Sequence, residues 1–241
     1  MKQSDYIRRL LDWGRFTEAK LLLSSGTVRP EAIFELAFML GNGFYSCEQF
    51  RDARDAFALA QKHESIGLLA TVKFANCLLH TGDREGALNI LREVSDNINA
   101  LPQEALDIFL RIAVHVREYE LLAKAEQKAR LRFPHTSFYW FAGGTLACKN
   151  ERHFQAITFF ARAVELSPTK PPYRLALARA LLKLKRETQA IRVLDELDLN
   201  AITCIADIML MKNVYSEIGY SEGIENCCSE LTRRYFQKNK S

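Results

Sequence analysis

One position recurs through this chain at an almost constant interval. Ala19, Ala53, Ala87, Leu122, Ala156, Ala190 and Gly223 follow one another at spacings of 34, 34, 35, 34, 34 and 33 residues. A fixed period of this size is the mark of a repeated supersecondary unit, and it excludes a single intertwined globule. The stretch Ser137–Lys170 shows what is repeated. Phe138, Phe141, Gly144, Thr145 and Cys148 fall on one face of a helix, and Lys149, Asn150, Glu151 and Arg152 break the pattern. Phe154, Ile157, Phe160, Ala161 and Val164 then trace a second helix, which ends where Pro168 removes a backbone donor. The unit is a helical hairpin. Gly144 permits close backbone approach, Ala156 and Ala163 leave room at the crossing, and Phe160 fills the gap between the two helices.

Two further series follow the same period. The close-approach position reads Gly41, Ala75, Gly144 and Ala178, with Leu110 and Lys212 departing from it. The gap-filling position reads Leu23, Phe57, Leu91, Phe160 and Leu194, with Glu126 and Cys227 departing. Trp140, Gly144, Ala156, Phe160, Ala163 and Pro168 are the signature residue types of the tetratricopeptide repeat at that family's spacing, and the chain resembles the family across nearly its whole length. Gly143 and Ala147 stand where the family usually carries larger residues. The resemblance implies an all-α fold, a right-handed α-solenoid of about seven hairpins forming one superhelix over residues 1–241. The hairpins are expected at 1–33, 34–67, 68–101, 102–136, 137–170, 171–204 and 205–237.

Composition agrees with a stack of helices. The 241 residues are 48% hydrophobic with only 11 Gly and 6 Pro, and no stretch reads as an interdomain linker. No run approaches the roughly 18 apolar residues of a membrane span. Met1 and Lys2 lead toward an amphipathic helix, not a secretion signal, so an intracellular protein of cytoplasm or nucleus is expected. The six cysteines show no Cys-x-x-Cys spacing and read as reduced thiols; Cys227 and Cys228 point to different sides of one helix. Arg233, Arg234, Lys238 and Lys240 suggest a frayed basic tail.

No catalytic signature is present: no glycine-rich phosphate loop, no Gly-x-Ser-x-Gly and no His-Glu-x-x-His. The chain is therefore expected to be non-enzymatic, with no cofactor and no metal site. His80 and His115 lie on neighbouring hairpins but bring no third ligand. A net charge of +4, without aromatics interleaved in a dense basic stripe, disfavours nucleic acid.

Function then rests on surfaces. In the tetratricopeptide family the first helix of each hairpin lines a concave groove. One position of that helix reads Arg8, Asn42, Asn76, Arg111, Thr145, Arg179 and Asn213; one turn later it reads Asp12, Ser46, His80, His115, Lys149, Lys183 and Glu217. Residues four apart share a helix face, so the two series form one polar strip. It is either a solvated face or a binding groove flanked by residues such as Phe38, Tyr45, Phe138 and Phe141. As a groove, Arg8, Asn42, Tyr45, Asn76, His80, Arg111, His115, Thr145, Lys149, Arg179, Lys183 and Asn213 would meet a protein or peptide partner of acidic character. Some family members hold the C-terminal carboxylate of heat-shock chaperones. Asn42 and Asn76 match the recurring asparagine of that clamp, but Phe38, Glu104 and Ile108 stand where it needs cations or amides, so no such clamp is expected. The order of hairpins from Arg8 to Ala19 onward also resembles the N-terminal, dimer-forming half of tetratricopeptide scaffold subunits of the anaphase-promoting complex. That resemblance implies a homodimer in a nuclear, cell-cycle setting; the apolar residues of the terminal hairpins, Tyr6, Trp13, Phe16, Ile208, Met209, Met211, Tyr215, Tyr220, Tyr235 and Phe236, either join two copies or form the core of short capping hairpins.

Overall fold

The structure of the chain, a computed structural model, describes residues 3–26 and 28–238. Met1, Lys2 and Lys240 lie outside them. Fourteen α-helices and one 3₁₀ turn follow in order among the described residues: α1 (Gln3–Asp12), α2 (Phe16–Ser24), α3 (Pro30–Ser46), α4 (Phe50–Ala60), α5 (Gly67–His80), α6 (Arg84–Ser95), α7 (Gln103–Val116), α8 (Tyr119–Arg132), α9 (Ser137–Lys149), α10 (His153–Leu166), α11 (Pro171–Lys183), α12 (Glu187–Asp195), α13 (Ile205–Ile218) and α14 (Ser221–Lys238). The 3₁₀ turn, Ile98–Ala100, occupies the break that lengthens one interval to 35 residues.

Each consecutive pair is a hairpin, and one backbone device closes all seven. Gly14, Glu48, Gly82, Arg117, Glu151, Lys185 and Gly219 have φ between 57° and 92°. The amide that follows each of them donates back to a carbonyl five residues earlier: Arg15 to Leu10, Gln49 to Phe44, Asp83 to Leu78, Glu118 to Ala113, Arg152 to Ala147, Arg186 to Leu181 and Tyr220 to Tyr215, all at 2.8–3.0 Å. This left-handed cap satisfies carbonyls that the helix end would otherwise leave open.

The helices pack through the repeated small residues. Ala19, Ala53, Ala87, Ala156 and Ala190 are all at most 1% exposed. A Cβ added to Gly41 would come 2.7 Å from the Phe57 ring, and one added to Gly144 would come 2.5 Å from the Phe160 ring. At the equivalent places Ala75 stands with Leu91 and Ala178 with Leu194, so within this chain glycine goes with phenylalanine and alanine with leucine. The two residues share one fixed volume.

The chain falls into two compact units, Met1–Ala129 and Arg130–Ser241. In the first, Ile7, Leu10, Leu36, Leu40, Phe44, Phe57 and Cys77 form the largest part of one core cluster. In the second, Phe160, Leu175, Leu181, Leu194, Ile208, Met211 and Tyr215 do so.

Arg233 and Arg234 of the basic tail are held by contacts, contrary to the expectation of fraying, while Lys240 lies outside the described residues. Helix α14 continues to Lys238, and Glu230, only 7% exposed, accepts from Arg233 at 2.6 Å and from Arg234 at 2.6 Å. Arg234 also donates to the Leu199 carbonyl at 2.8 Å, and Arg233 to the Asn200 side chain at 3.3 Å. These bonds hold residues 199–203 as a loop ahead of α13, which starts at Ile205. A buried cation, Arg174, sits 6% exposed and donates to the Pro168 carbonyl at 2.7 Å, the Val193 carbonyl at 3.0 Å and Glu196 at 2.7 Å. The thiols divide as the helix faces require: Cys77 and Cys227 are buried, Cys47, Cys204 and Cys228 exposed.

Candidate functional site

The polar strip has different contents in the two units. In the first, Arg8, Asn42, Asn76 and His80, four of its eight members, are engaged with neighbouring hairpins. Arg8 on α1 meets Glu35 on α3 at 2.8 Å. Lys73 on α5 donates to the Asn42 side-chain oxygen at 2.7 Å and pairs with Glu104 on α7 at 2.6 Å, its ammonium lying over the Phe38 and Phe57 rings at 5.4 and 5.9 Å. Asn76 donates to the Tyr45 hydroxyl at 2.5 Å, and burial pushes that phenol's pKa up. His80 stacks on Phe50 at 4.1 Å with the rings 7° from parallel, and Tyr45 meets its edge at 6.1 Å. Arg111 turns back along its own helix to Asp107 at 2.7 Å. His115 is exposed. Lys73 and Phe50 were not singled out in the sequence, although Lys73 lies one turn before Asn76 on the same face.

In the second unit the strip borders an open pocket of about 400 Å³. Helix α9 contributes Phe141, Thr145 and Cys148, α10 contributes His153 and Phe160, α11 contributes Pro172, Leu175, Ala176, Arg179, Ala180 and Lys183, and α13 contributes Asp207 and Leu210. Three residues of the predicted strip therefore come together here: Thr145, Arg179 and Lys183. Lys149 and Asn213 are exposed and do not line it. The floor is apolar: Phe141 lies 5.7 Å from Phe160 and 5.0 Å from Tyr173, ring centre to ring centre. Thr145 spends its hydroxyl on the Phe141 carbonyl at 3.0 Å. Arg179 and Lys183 stand exposed at the rim, one helical turn apart, with no side-chain partner among the described residues.

Three further polar groups face the same space. Burial raises the pKa of the Cys148 thiol. The His153 Nδ1 atom is buried and has no hydrogen-bond partner. Asp207 is half-buried in the first turn of α13, its side chain unpaired among the described residues, and desolvation raises its pKa. An acid in a first turn is ordinarily helped by the helix dipole to stay ionised; here the apolar surroundings outweigh that effect. The repeat explains why. The same position in the two preceding hairpins holds Tyr139 and Tyr173, both buried, so Asp207 stands where the fold twice places an aromatic ring. Neither Asp207 nor His153 belongs to the polar strip, and only the break in that tyrosine series could have revealed Asp207 beforehand.

Among the described residues no group of three or more His, Cys, Asp or Glu side chains is arranged to hold a metal ion, and no helix is long and apolar enough to cross a membrane. Of the residues expected at apolar ends, Ile208, Met211 and Tyr215 are buried in the core, and Tyr6, Phe16 and Tyr220 pack against it. Trp13, Met209, Tyr235 and Phe236 are exposed.

Residues 149–201 match the sequence model of the tetratricopeptide repeat. No curated protein sequence matches the chain. Among solved structures, PilF of Pseudomonas aeruginosa is 15% identical with a TM-score of 0.65, the match covering 84% of this chain and 91% of that one. MamA of Desulfovibrio magneticus RS-1, from residue 41 to its end, is 14% identical with a TM-score of 0.57, over 68% of this chain and 92% of that one. Both are tetratricopeptide-repeat proteins. With its seven capped hairpins, the chain has the tetratricopeptide-repeat fold, and over residues 149–201 it matches that repeat in sequence as well.

Proposed function

We propose that the chain is a non-catalytic scaffold or adaptor that presents a groove to a protein or peptide partner, in cytoplasm or nucleus, with the pocket of the second unit as its principal contact. The fold speaks for protein partners, since hairpin arrays of this kind bury their apolar faces on one another and leave long side-chain-lined surfaces. The observation that carries the reading is the conjunction of an apolar floor with two unpaired cations at the rim. Such a site gains from an apolar anchor placed on Phe141, Leu175 and Leu210 and from an acidic group placed on Arg179 and Lys183.

The test compares the wild-type chain with the double variant Arg179→Glu, Lys183→Glu, each immobilised and probed for bound proteins by mass spectrometry. Loss of the bound partners with unchanged helical circular dichroism and melting supports the reading. Unaltered binding by the double variant overturns it.

A self-associating scaffold, the anaphase-promoting-complex type included, is a second reading. It is favoured by the exposure of Trp13 at 61%, Tyr235 at 66% and Phe236 at 59% on the terminal hairpins. Light scattering over a range of concentrations decides it, because a monomer throughout removes it.

A further inference from the structure

Asp207 faces the same pocket as Arg179 and Lys183 but lies at its other end. Helices α11 and α13 are first helices of successive hairpins and so run the same way. The repeat places Asp207 level with Tyr173. Arg179 and Lys183 come six and ten residues later on α11, about 9 and about 15 Å further along the axis at 1.5 Å per residue. The pocket therefore has a cationic end and an anionic end, with Leu175 and Leu210 between them. None of the three charged side chains neutralises another, and the His153 Nδ1 atom adds a buried polar group without a partner.

We propose that Asp207 makes the pocket selective for a dipolar peptide segment: an apolar anchor with an acidic residue on one flank and a hydrogen-bond donor, best a lysine, on the other. The inference rests on the pocket being a peptide site and adds which peptide it takes. Charge complementarity carries it. An acid set against Arg179 and Lys183 is attracted, whereas a second acid on the opposite flank would stand against a half-desolvated carboxylate. A lysine there would stabilise the ionised Asp207 carboxylate by charge pairing and so offset the desolvation that raises its pKa. The span fits a short extended segment, since about four residues at roughly 3.3 Å each separate groups about 13 Å apart.

The consequence runs against simple electrostatics. A site defined by two free cations would prefer the more acidic of two peptides; this one prefers the less acidic. The probes are two fluorescein-labelled synthetic peptides, capped at both ends, with cores Glu-Ala-Phe-Ala-Lys and Glu-Ala-Phe-Ala-Glu, titrated with the full chain and followed by fluorescence anisotropy. The dipolar peptide is expected to bind about fivefold more tightly than the diacid. Asp207→Asn, whose folding is checked by circular dichroism, is expected to bring the two within about twofold, chiefly by improving the diacid. Arg179→Glu with Lys183→Glu is expected to lose both. Equal binding of the two peptides by the wild type, or preference for the diacid, overturns the role of Asp207 while leaving the pocket a peptide site. Binding of neither peptide at millimolar protein overturns both statements.

Discussion

Replacing Gly144 by alanine tests the volume rule that sets the spacing within each hairpin. In an exposed helix interior the change would stabilise by about 1 kcal/mol, through lower backbone entropy in the unfolded chain. Here the new methyl carbon would lie 2.5 Å from two carbons of the Phe160 ring, when ordinary carbon contacts are about 3.5–4.0 Å. The ring must retreat by more than about 1 Å, yet it is 3% exposed and packed against Phe141. Its open side is the pocket it lines. Overpacking of this kind costs about 1–3 kcal/mol, which leaves a net loss of about 1 kcal/mol after the propensity gain. Phe160→Leu alone costs about 1 kcal/mol through the space it leaves. The double variant reproduces the pair that the chain itself uses at Ala178 and Leu194, and so the two changes are expected to compensate, with a coupling energy of about 1–2 kcal/mol. Urea unfolding followed at 222 nm on the four members of the cycle measures it. Additivity within about 0.5 kcal/mol, or a Gly144→Ala variant more stable than the wild type, would refute the shared-volume argument.

Two other outcomes follow from single contacts. Arg233 and Arg234 hold the Glu230 carboxyl down to about 2, from 4.5; because the folded value is the lower one, this carboxylate contributes stability above about pH 4.5 that is lost as pH falls toward 2. Arg233 is half-exposed, so the contribution is about 1 kcal/mol, and an acid titration of Glu230→Gln should be flatter than that of the wild type across that window. Ala176→Lys should place a long cationic side chain in the pocket of the second unit and weaken binding of the dipolar peptide at least about tenfold while helicity is kept; undiminished affinity would mean that the peptide binds elsewhere.

The hairpins were legible because packing between helices leaves no freedom at the crossing. A residue there must be small, and the small residues mark time along the chain. The departures are also informative. At Leu110 the close-approach position is large, and its partner position holds Glu126, which is 5% exposed, so the fourth hairpin meets the same spacing with a different pair. The turns were not legible to the same degree. Gly14, Gly82 and Gly219 suit a left-handed backbone, but Glu48, Arg117, Glu151 and Lys185 adopt it as well, at a cost of about 1 kcal/mol each, because the five-residue hydrogen bond and the packing on either side fix the path. Nothing in those four side chains announces the conformation.

The strip was visible as a polar series but not as two kinds of surface, and the reason lies one turn upstream. Three residues before each member of the first series the chain carries Asp5, Met39, Lys73, Ile108, Ala142, Ala176 and Leu210. Lys73 fills the space between its neighbours and ties up Asn42 and Glu104, and its cation rests on Phe38 and Phe57. Ala176 cannot reach across, and Leu210 contributes only apolar surface, so between these two helices a volume of about 400 Å³ stays open with Arg179 and Lys183 left unpaired beside it. A polarity count assigns Asn76 and Arg179 to the same class. What separates them is the partner within reach: Asn76 donates to the Tyr45 hydroxyl of the preceding hairpin, whereas Arg179 meets no side-chain partner among the described residues and keeps its donors for a ligand. Asp207 is left unpaired for a related reason: a short acid at a position built for tyrosine leaves open space and an unsatisfied charge, and the hairpin carries that loss because α13 packs on α11, α12 and α14.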